Sequence, residues 1–221
     1  MRLNLLNLIL IICFQFYLIP VDGQTVVDID GNHYRLVTIG KQTWMSENLK
    51  VTHYRNGDEI QYIEDSDTWS RLNSGAYCVY DSTSSNIKVY GLIYNWYAVM
   101  DKRNLCPVGF HVPSDAEWTE LTEFVGGELV AGGKLKEKGR SHWRSPNSKA
   151  TNESEFTALP GGFRNYDGVF YDMGYYGFWW TSTKSNAGLA WGRGMYYFYG
   201  DVNRDNDECT DGFSVRCIKD H

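Results

Sequence analysis

The sequence predicts an α+β domain in which one or two helices pack against an irregular, mostly antiparallel sheet with long loops. Three observations lead to this class. One segment carries a complete set of helix signals, several short apolar segments are separated by Asp-Gly turns, and the chain has 22 glycines and 15% aromatic residues. Such a composition is typical of a turn-rich globular domain, because disordered chains contain few aromatic residues.

The strongest helix signal lies in the segment 114–127. Ser114 is followed three residues later by Glu117, which is the pattern of a capping box. In such a box the serine oxygen accepts a hydrogen bond from the backbone N–H of Glu117, and the carboxylate accepts one from the backbone N–H of Ser114. The apolar residues on one helical face are Trp118, Leu121 and Val125. We therefore predict a helix with this buried stripe that ends at the glycine pair 126–127.

Two further segments carry weaker helix signals. The segment 128–139 is interrupted by the consecutive glycines Gly132 and Gly133, which lower its helix propensity. The segment 95–100 follows a strongly apolar stretch and predicts a short helix that is entered from a strand.

Turn signals divide the remaining apolar segments into short strands. Asp30-Gly31 precedes HYRLVTIG and KQTWM, whose β-branched and aromatic residues predict a hairpin. Asp167-Gly168 marks a second hairpin. Three further strands are predicted from FWWTST, LAWGRGMYYFY and GFSVRCIK. The polar segment 50–75 is interpreted as loop and edge structure.

The first 23 residues have the pattern of a secretory signal peptide. A positive charge at Arg2 precedes an apolar run, and Val21 and Gly23 occupy positions −3 and −1 of a cleavage site before Gln24. We expect a single domain over residues 24–221 and a secreted or cell-surface location. The alternative, a retained membrane anchor, is disfavoured because the run is shorter than the roughly 20 apolar residues that span a bilayer.

Charge restricts the classes of partner. The chain carries 27 acidic and 21 basic residues, so its net charge is −6. An acidic surface argues against nucleic acid or an anionic membrane as the main partner, and we find no lysine or arginine cluster that would neutralise phosphates. We expect no stable membrane insertion after signal cleavage, because no later segment is apolar enough. No cofactor is predicted.

The spacing of the cysteines and histidines indicates neither a metal site nor a catalytic site. The cysteines that remain after cleavage are Cys78, Cys106, Cys209 and Cys217. In an exported chain four cysteines are compatible with two disulfides in any of three connectivities. No CxxC or paired Cys/His spacing is present, so a structural zinc site is not expected. The histidines are scattered and suggest no catalytic arrangement, and we interpret His111 as a half-buried structural residue.

One acidic segment has a partial likeness to a calcium loop. Asp201, Asn203 and Asp205 mimic the first half of such a loop. However, Asn206 stands where the loop needs glycine, and Gly212 replaces the closing glutamate. A polar hairpin turn is the favoured interpretation, and no metal site is predicted.

An excess of aromatic residues in the C-terminal third suggests ligand binding. Clusters occur in the segments 174–180 and 190–199, and Trp143 stands in a polar loop. Flat rings stack on the apolar face of a sugar while neighbouring polar groups meet its hydroxyls. The candidate ligand-binding residues are Trp179, Trp180, Trp191, Tyr197, Arg164 and Arg193. The alternative is that the rings fill the core, because alternate residues of a strand face opposite sides of a sheet.

Six motifs follow one another along the chain: DIDGNHYRLVTIGKQTWMSENLK, YGLIYNWYAVMD, LCPVGFHVPSDAEWTELTEFVGG, AGGKLKEKG, FTALPGGFRNYDGVFYDMGYYGFWWTST and GFSVRCIKD. In this order they resemble the Fibrobacter succinogenes major paralogous domain, a family found in exported bacterial proteins. The resemblance covers essentially the whole predicted mature chain, residues 26–220.

A more distant resemblance connects HVPSDAEWTEL, FWWTST and GFSVRC with the formylglycine-generating enzymes and their sulfatase-modifying relatives. It implies a C-type-lectin-like fold in which GFHVP pairs with GFSVRCI, and hence a disulfide between Cys106 and Cys217. Whether Cys78 and Cys209 pair stays open. The copper-binding cysteine pair of these enzymes would fall in AWGRGMYYFYGD, which has no cysteine, and Trp179 stands where they have a calcium-binding glutamate. Formylglycine-generating activity is therefore not expected.

Two hypotheses about function follow from the sequence. The first is a secreted, non-catalytic binding module whose ligand is a glycan or another cell-surface polymer. The second is a structural or adhesive domain that acts through protein contacts without binding sugar. A hydrolase or oxidase with an unfamiliar site is the least supported alternative, because no constellation of titratable residues points to a reaction.

Overall fold

The computed structural model describes residues 24–220 of the chain, and the predicted signal peptide, residues 1–23, lies outside them. In the described part, short strands arranged in three sheets combine with five helices. The fold is therefore α+β, as the sequence predicts. No helix within the described range is long and apolar enough to cross a membrane.

The first sheet brings the two ends of the described chain together. Its strands, in spatial order, are β1 (Thr25–Val27), β2 (His33–Ile39), β3 (Gln42–Met45), β14 (Ile218–Lys219) and β7 (Phe110–His111). The antiparallel β2–β3 hairpin is confirmed, and the last strand lies between β3 and β7. Ile218 stands opposite His111, so the segment GFHVP does pair with the end of the chain.

A disulfide joins Cys106 to Cys217 beside this pairing. The Cα atoms of the two cysteines lie 5.9 Å apart, and 111 positions separate the residues in sequence. The pairing implied by the resemblance is thus confirmed. Cys78 and Cys209 are buried free thiols in the described structure.

The second sheet has six strands. In spatial order these are β4 (Gln61–Tyr62), β5 (Ala76–Cys78), β6 (Ile93–Asn95), β13 (Gly212–Phe213), β8 (Phe163–Arg164) and β9 (Phe170–Tyr171). The β8–β9 hairpin turns at Asp167-Gly168, where the N–H of Gly168 donates to the carbonyl of Asn165 at 2.8 Å. The edge pair β4–β5 is parallel and the other pairs are antiparallel.

The third sheet consists of β10 (Tyr176–Asn186), β11 (Leu189–Tyr196) and β12 (Asn203–Glu208). The sequence favours a polar turn for the segment of Asp201, Asn203 and Asp205, and this is wrong for two of the three residues. Asn203 and Asp205 lie in β12 and pair with β11 along their backbones. Only Asp201 lies in the turn before the strand. A second correction concerns GFSVRCIK, which is divided into β13 and β14 because its two ends pair with different sheets.

The helices are α1 (Ser66–Ser70), α2 (Ser85–Tyr90), α3 (Trp96–Val99), α4 (Asp115–Phe124) and α5 (Glu128–Leu135), with a 3₁₀ turn at Tyr80–Ser82. The capping box of α4 is confirmed, because the Glu117 N–H donates to Ser114 Oγ at 3.2 Å and the Ser114 N–H donates to Glu117 Oε2 at 2.7 Å. Five helices replace the one or two expected. The additional ones are short, and such helices depend on tertiary packing more than on propensity.

The two glycines of α5 allow the helix to touch its neighbours backbone to backbone. A Cβ added at Gly132 would collide with the carbonyl oxygen of Asp201, and one added at Gly133 would lie 2.7 Å from that of Lys149. The N–H of Gly133 donates to the carbonyl of Gly200 at 2.9 Å. The two glycines lower the helix propensity of α5, but they allow close contact with Lys149 and with the turn between β11 and β12.

Candidate functional site

Two of the predicted ligand-binding tryptophans lie in the core, which corrects the expectation that they face a ligand. Trp179 and Trp180 have no exposed surface. The indole N–H of Trp179 donates to Asn48 Oδ1 at 2.9 Å, and that of Trp180 donates to the carbonyl of Tyr94 at 2.8 Å. Their positions on β10 are covered on both faces of the sheet, so these rings stabilise the fold.

The two predicted arginines are also buried and have structural partners. The guanidinium of Arg164 donates at 2.7–2.8 Å to three backbone carbonyls, those of Ile63, Glu64 and Gly168. Arg193 lies 2.7 Å from the carboxylate of Asp115, the first residue of α4, and so ties that helix to β11. Neither side chain is available to a ligand at the surface.

Trp191 is partly covered, and Trp143 is buried. Trp191 is half-buried, and one face of its ring is covered by the guanidinium of Arg204 at 3.5 Å. Trp143 is 1% exposed and its indole N–H donates to the carbonyl of Ala158 at 2.9 Å. Of the six predicted residues, Tyr197 is the one that lies in an open cluster of rings.

That cluster, which we call the aromatic patch, consists of Tyr175, Tyr197, Phe198 and Tyr199. Tyr175 is 38% exposed, Phe198 41% and Tyr199 51%. The ring centroids of Tyr175 and Tyr197 lie 5.2 Å apart, those of Tyr197 and Phe198 4.9 Å, and those of Phe198 and Tyr199 4.1 Å. The four rings thus form one continuous surface.

The ends of two strands position the patch. Tyr175 precedes β10, and the other three residues follow β11 in its turn towards β12. The N–H of Tyr197 donates to the carbonyl of Tyr175 at 2.9 Å, and the N–H of Ser148 donates to the carbonyl of Tyr197 at 2.8 Å. These bonds join the turn both to the start of β10 and to the loop before it.

A buried lysine holds the turn and the loop together. Lys136 has no exposed surface, and its Nζ donates to three backbone carbonyls, those of Ser148 at 3.1 Å, Tyr196 at 2.8 Å and Tyr199 at 2.7 Å. Burial lowers the pKa of Lys136 to about 8 because the charged form loses hydration. Three accepting carbonyls satisfy all three donors of the ammonium group.

An open cleft of about 520 Å³ adjoins the patch. Its lining includes Asp81, Tyr90, Arg140, His142, Arg144 and Met173. The guanidinium of Arg144 lies 5.6 Å from the ring centroid of Tyr175, which joins the cleft to the patch. The arrangement combines exposed rings with charged and polar groups, as sites for sugars and other amphipathic ligands do.

His111 is paired with a carboxylate through each of its ring nitrogens, which is a structural arrangement. Its Nδ1 lies 2.6 Å from Asp220 Oδ1 and its Nε2 lies 2.8 Å from Glu117 Oε1. Burial lowers the pKa of His111, but the hydrogen bonds to Asp220 and Glu117 outweigh it, and the net result is a raised pKa. Because both ring nitrogens are occupied, the side chain acts as an ionic link between α4 and the end of the chain.

Among residues 24–220, no three acidic, histidine or cysteine side chains are placed so that they could hold a metal ion. Asn203 and Asp205, from the partial calcium motif, lie on one face of strand β12.

These features define a disulfide-linked α+β domain with an aromatic surface patch. The chain belongs to the Fibrobacter succinogenes major domain family, whose model matches residues 37–219. No curated protein and no solved structure matches it.

The aromatic patch lies within the segments in which the sequence shows aromatic clusters, but only Tyr197 of its four residues is among the predicted ligand-binding residues. Tyr175, Phe198 and Tyr199 lie inside the aromatic clusters that the sequence shows, just beyond the ends of β10 and β11. The turn signals at Gly174 and Gly200 were the available indication, since rings beside turns are less covered than rings within strands. Nothing in the local sequence marks Lys136, whose partners are distant.

Proposed function

We propose that this protein is an exported, non-catalytic binding domain that holds a polysaccharide, or another cell-surface polymer, on its aromatic patch. The observation that carries the proposal is the set of four adjoining rings at the surface. Contiguous exposed apolar surface is costly in a monomer and commonly marks an interaction site. Rings with hydroxyl groups suit a sugar, whose two faces differ in polarity.

A C-type-lectin-like fold is part of the proposal, together with a distant relationship to the formylglycine-generating enzymes. The position of β14 between β3 and β7, next to the Cys106–Cys217 disulfide, supports it. The chemistry of those enzymes does not extend to this chain in our proposal, because the segment that would carry their copper-binding cysteines, residues 190–201, has none.

Export is proposed on two grounds. The first is the signal-peptide pattern of the first 23 residues. The second is the disulfide, since such bonds form and persist in oxidising compartments outside the cytoplasm.

The test is a binding screen of the purified exported protein on a panel of neutral and charged polysaccharides, by affinity electrophoresis followed by calorimetry. The double variant Phe198→Ala/Tyr199→Ala should lose most of the binding, because stacking on exposed rings is removed. Tyr62→Ala is the matched control, since Tyr62 is 44% exposed on the edge strand β4, outside the patch. Absence of binding to every polymer, or equal losses in both variants, would refute the proposal.

A second candidate function is a structural or adhesive domain that contacts protein. It is favoured by exposed apolar residues at the junction of α4 and α5, where Phe124 is 63% and Leu129 82% exposed. Sugar-independent self-association, measured by sedimentation and lost in Leu129→Ser, would support this alternative.

A further inference from the structure

We infer that the ligand of the aromatic patch is an anionic polysaccharide, whose carboxylate or sulfate groups are bound by Arg140 and Arg144. This inference rests on the proposed function and narrows it to one class of polymer. It follows from the charge of the loop that borders the patch, from the freedom of its guanidinium groups and from the way the loop is fixed.

The loop is a basic segment of an acidic chain. Residues 138–149 contain no aspartate or glutamate, whereas the whole chain has a net charge of −6. The cations of this segment, which we call the basic loop, are Lys138, Arg140, Arg144 and Lys149. The expectation that the chain has no lysine or arginine cluster is therefore wrong for this segment.

The two cleft arginines have no carboxylate partner among residues 24–220. Arg140 makes one long hydrogen bond, 3.4 Å to Ser145 Oγ, and Arg144 contacts the ring of Tyr175. By contrast, Arg103 and Arg204 are paired with carboxylates at 2.7 and 2.9 Å. Both Arg140 and Arg144 are exposed, so their guanidinium groups can bind carboxylate or sulfate oxygens in the fork geometry that arginine favours.

The basic loop is held in place by buried side chains. The amide of Asn147, which is 6% exposed, donates to the carbonyls of Glu137 at 2.9 Å and Gly139 at 2.6 Å. Trp143 anchors the middle of the loop, and Lys136 binds its end at Ser148. Groups that are fixed before binding lose little conformational entropy when a ligand arrives, which favours affinity.

The cleft is lined by more basic than acidic side chains. The carboxylate of Glu137 is engaged by His142 Nδ1 at 2.8 Å. Asp81 is the only acid that lines the cleft within the described structure, and two arginines line the same cleft. A chain of sugars lying over Tyr175 would bring its anionic groups to Arg144, which is 5.6 Å from that ring.

The test compares polymers that share a backbone and differ in charge. Polygalacturonate and its methyl-esterified form test carboxylates, and dextran sulfate and dextran test sulfates. The exported protein should bind at least one anionic polymer about tenfold more tightly than its neutral counterpart, and added salt should reduce the difference. Whichever pair shows the preference identifies the anion.

Substitutions in the cleft test whether Arg140 and Arg144 cause the preference for the anionic polymer. Arg140→Gln/Arg144→Gln should weaken binding of the anionic polymer about five- to tenfold and abolish the preference for it over its neutral counterpart. Asp81→Asn should strengthen it, because a repulsive charge is removed without a change of shape. The matched control is Arg71→Gln/Lys102→Gln, which removes two exposed cations that line neither the cleft nor the patch.

Each outcome separates the inference from the function on which it rests. Equal binding of charged and neutral polymers that still depends on Phe198 and Tyr199 would overturn the inference alone. An equal loss in the control variant, or equally tight binding of duplex DNA, would also overturn it, because either result indicates non-specific electrostatics. No binding of any polymer would overturn both.

Discussion

At the scale of single residues, burial decides which aromatic rings a ligand can reach. Trp180 and Tyr199 belong to neighbouring clusters in the sequence, yet one ring has no exposed surface and the other is 51% exposed. The sequence could not separate them, because burial of a ring depends on elements that are distant along the chain. Burial of Trp180 involves Tyr94 and Phe213, whose ring centroid lies 4.2 Å from its own.

The first prediction follows from this contrast. Trp180→Ala should lower the free energy of unfolding by about 3–5 kcal/mol, because it opens a cavity in the core. Tyr199→Ala should change that free energy by no more than about 0.5 kcal/mol, as is usual for exposed side chains. Urea unfolding followed by circular dichroism measures both. Similar stability losses in the two variants would show that the assignment of core and surface is wrong.

The second prediction concerns His111 and pH. Since its pKa is raised in the folded protein, the stabilisation is fully present below the ordinary histidine value of 6.5 and is lost as the pH rises through the raised value. The side chain is 36% exposed, so solvent screens the ion pairs and the effect is modest.

His111→Gln should therefore be less stable than the wild type by about 0.5–1 kcal/mol at about pH 5.5 and nearly equal to it at about pH 8.5. Urea titrations at both pH values give the comparison. His33→Gln, at an exposed histidine, serves as the control for the substitution itself. If the stability difference between the wild type and His111→Gln grew with pH, the proposed ionic role of His111 would be wrong.

At the scale of elements, the sequence predicts those helix ends and turns that are stabilised by hydrogen bonds between nearby residues. The capping box places the start of α4 correctly, because Ser114 and Glu117 satisfy each other's backbone N–H groups. The Asp167-Gly168 turn is equally local. In contrast, the polar segment 203–208 has no local strand signal and predicts a turn, whereas it forms strand β12 by pairing with β11.

In helix α5, a residue of low helix propensity is required by a contact with a distant part of the chain. Gly132→Ala should improve helix propensity, but its methyl group would collide with the carbonyl oxygen of Asp201. We predict a net loss of about 1–3 kcal/mol in stability from overpacking, and weaker polysaccharide binding because the turn that carries Phe198 and Tyr199 shifts.

Gly161→Ala is the matched control for this third prediction, since the nearest atom to an added Cβ there is 3.6 Å away. Urea unfolding and calorimetric titration on both variants provide the test. Unchanged stability in Gly132→Ala would mean that α5 does not lie against the turn as described.

At the scale of the whole molecule, the disulfide closes the chain on itself. It links residues 111 positions apart, next to the pairing of β7 with β14. In the chain-entropy model, a loop of this length is stabilised by up to roughly 4–5 kcal/mol, and less in practice. The four cysteines alone left the connectivity open, and only the resemblance to known proteins indicated it.

The fourth prediction is a thiol count. The denatured exported protein should show two reactive thiols, from Cys78 and Cys209, and four after reduction. Cys106→Ala/Cys217→Ala should unfold at a lower urea concentration than the wild type. Cys78→Ala keeps the disulfide, so a reducing agent should lower its unfolding midpoint by as much as it lowers that of the wild type. Four thiols without reduction would exclude the bond.

At this scale, the aromatic patch adjoins the cleft of Arg140 and Arg144, and both are built from the loop 138–149, the start of β10 and the turn after β11. Hydroxyl-radical footprinting with and without a bound polysaccharide tests this claim most directly. We expect protection of Tyr175, Tyr197, Phe198 and Tyr199, and none of Tyr62 or Tyr166, which are 44% and 55% exposed elsewhere. Protection of Tyr62 with an unprotected aromatic patch would contradict the account.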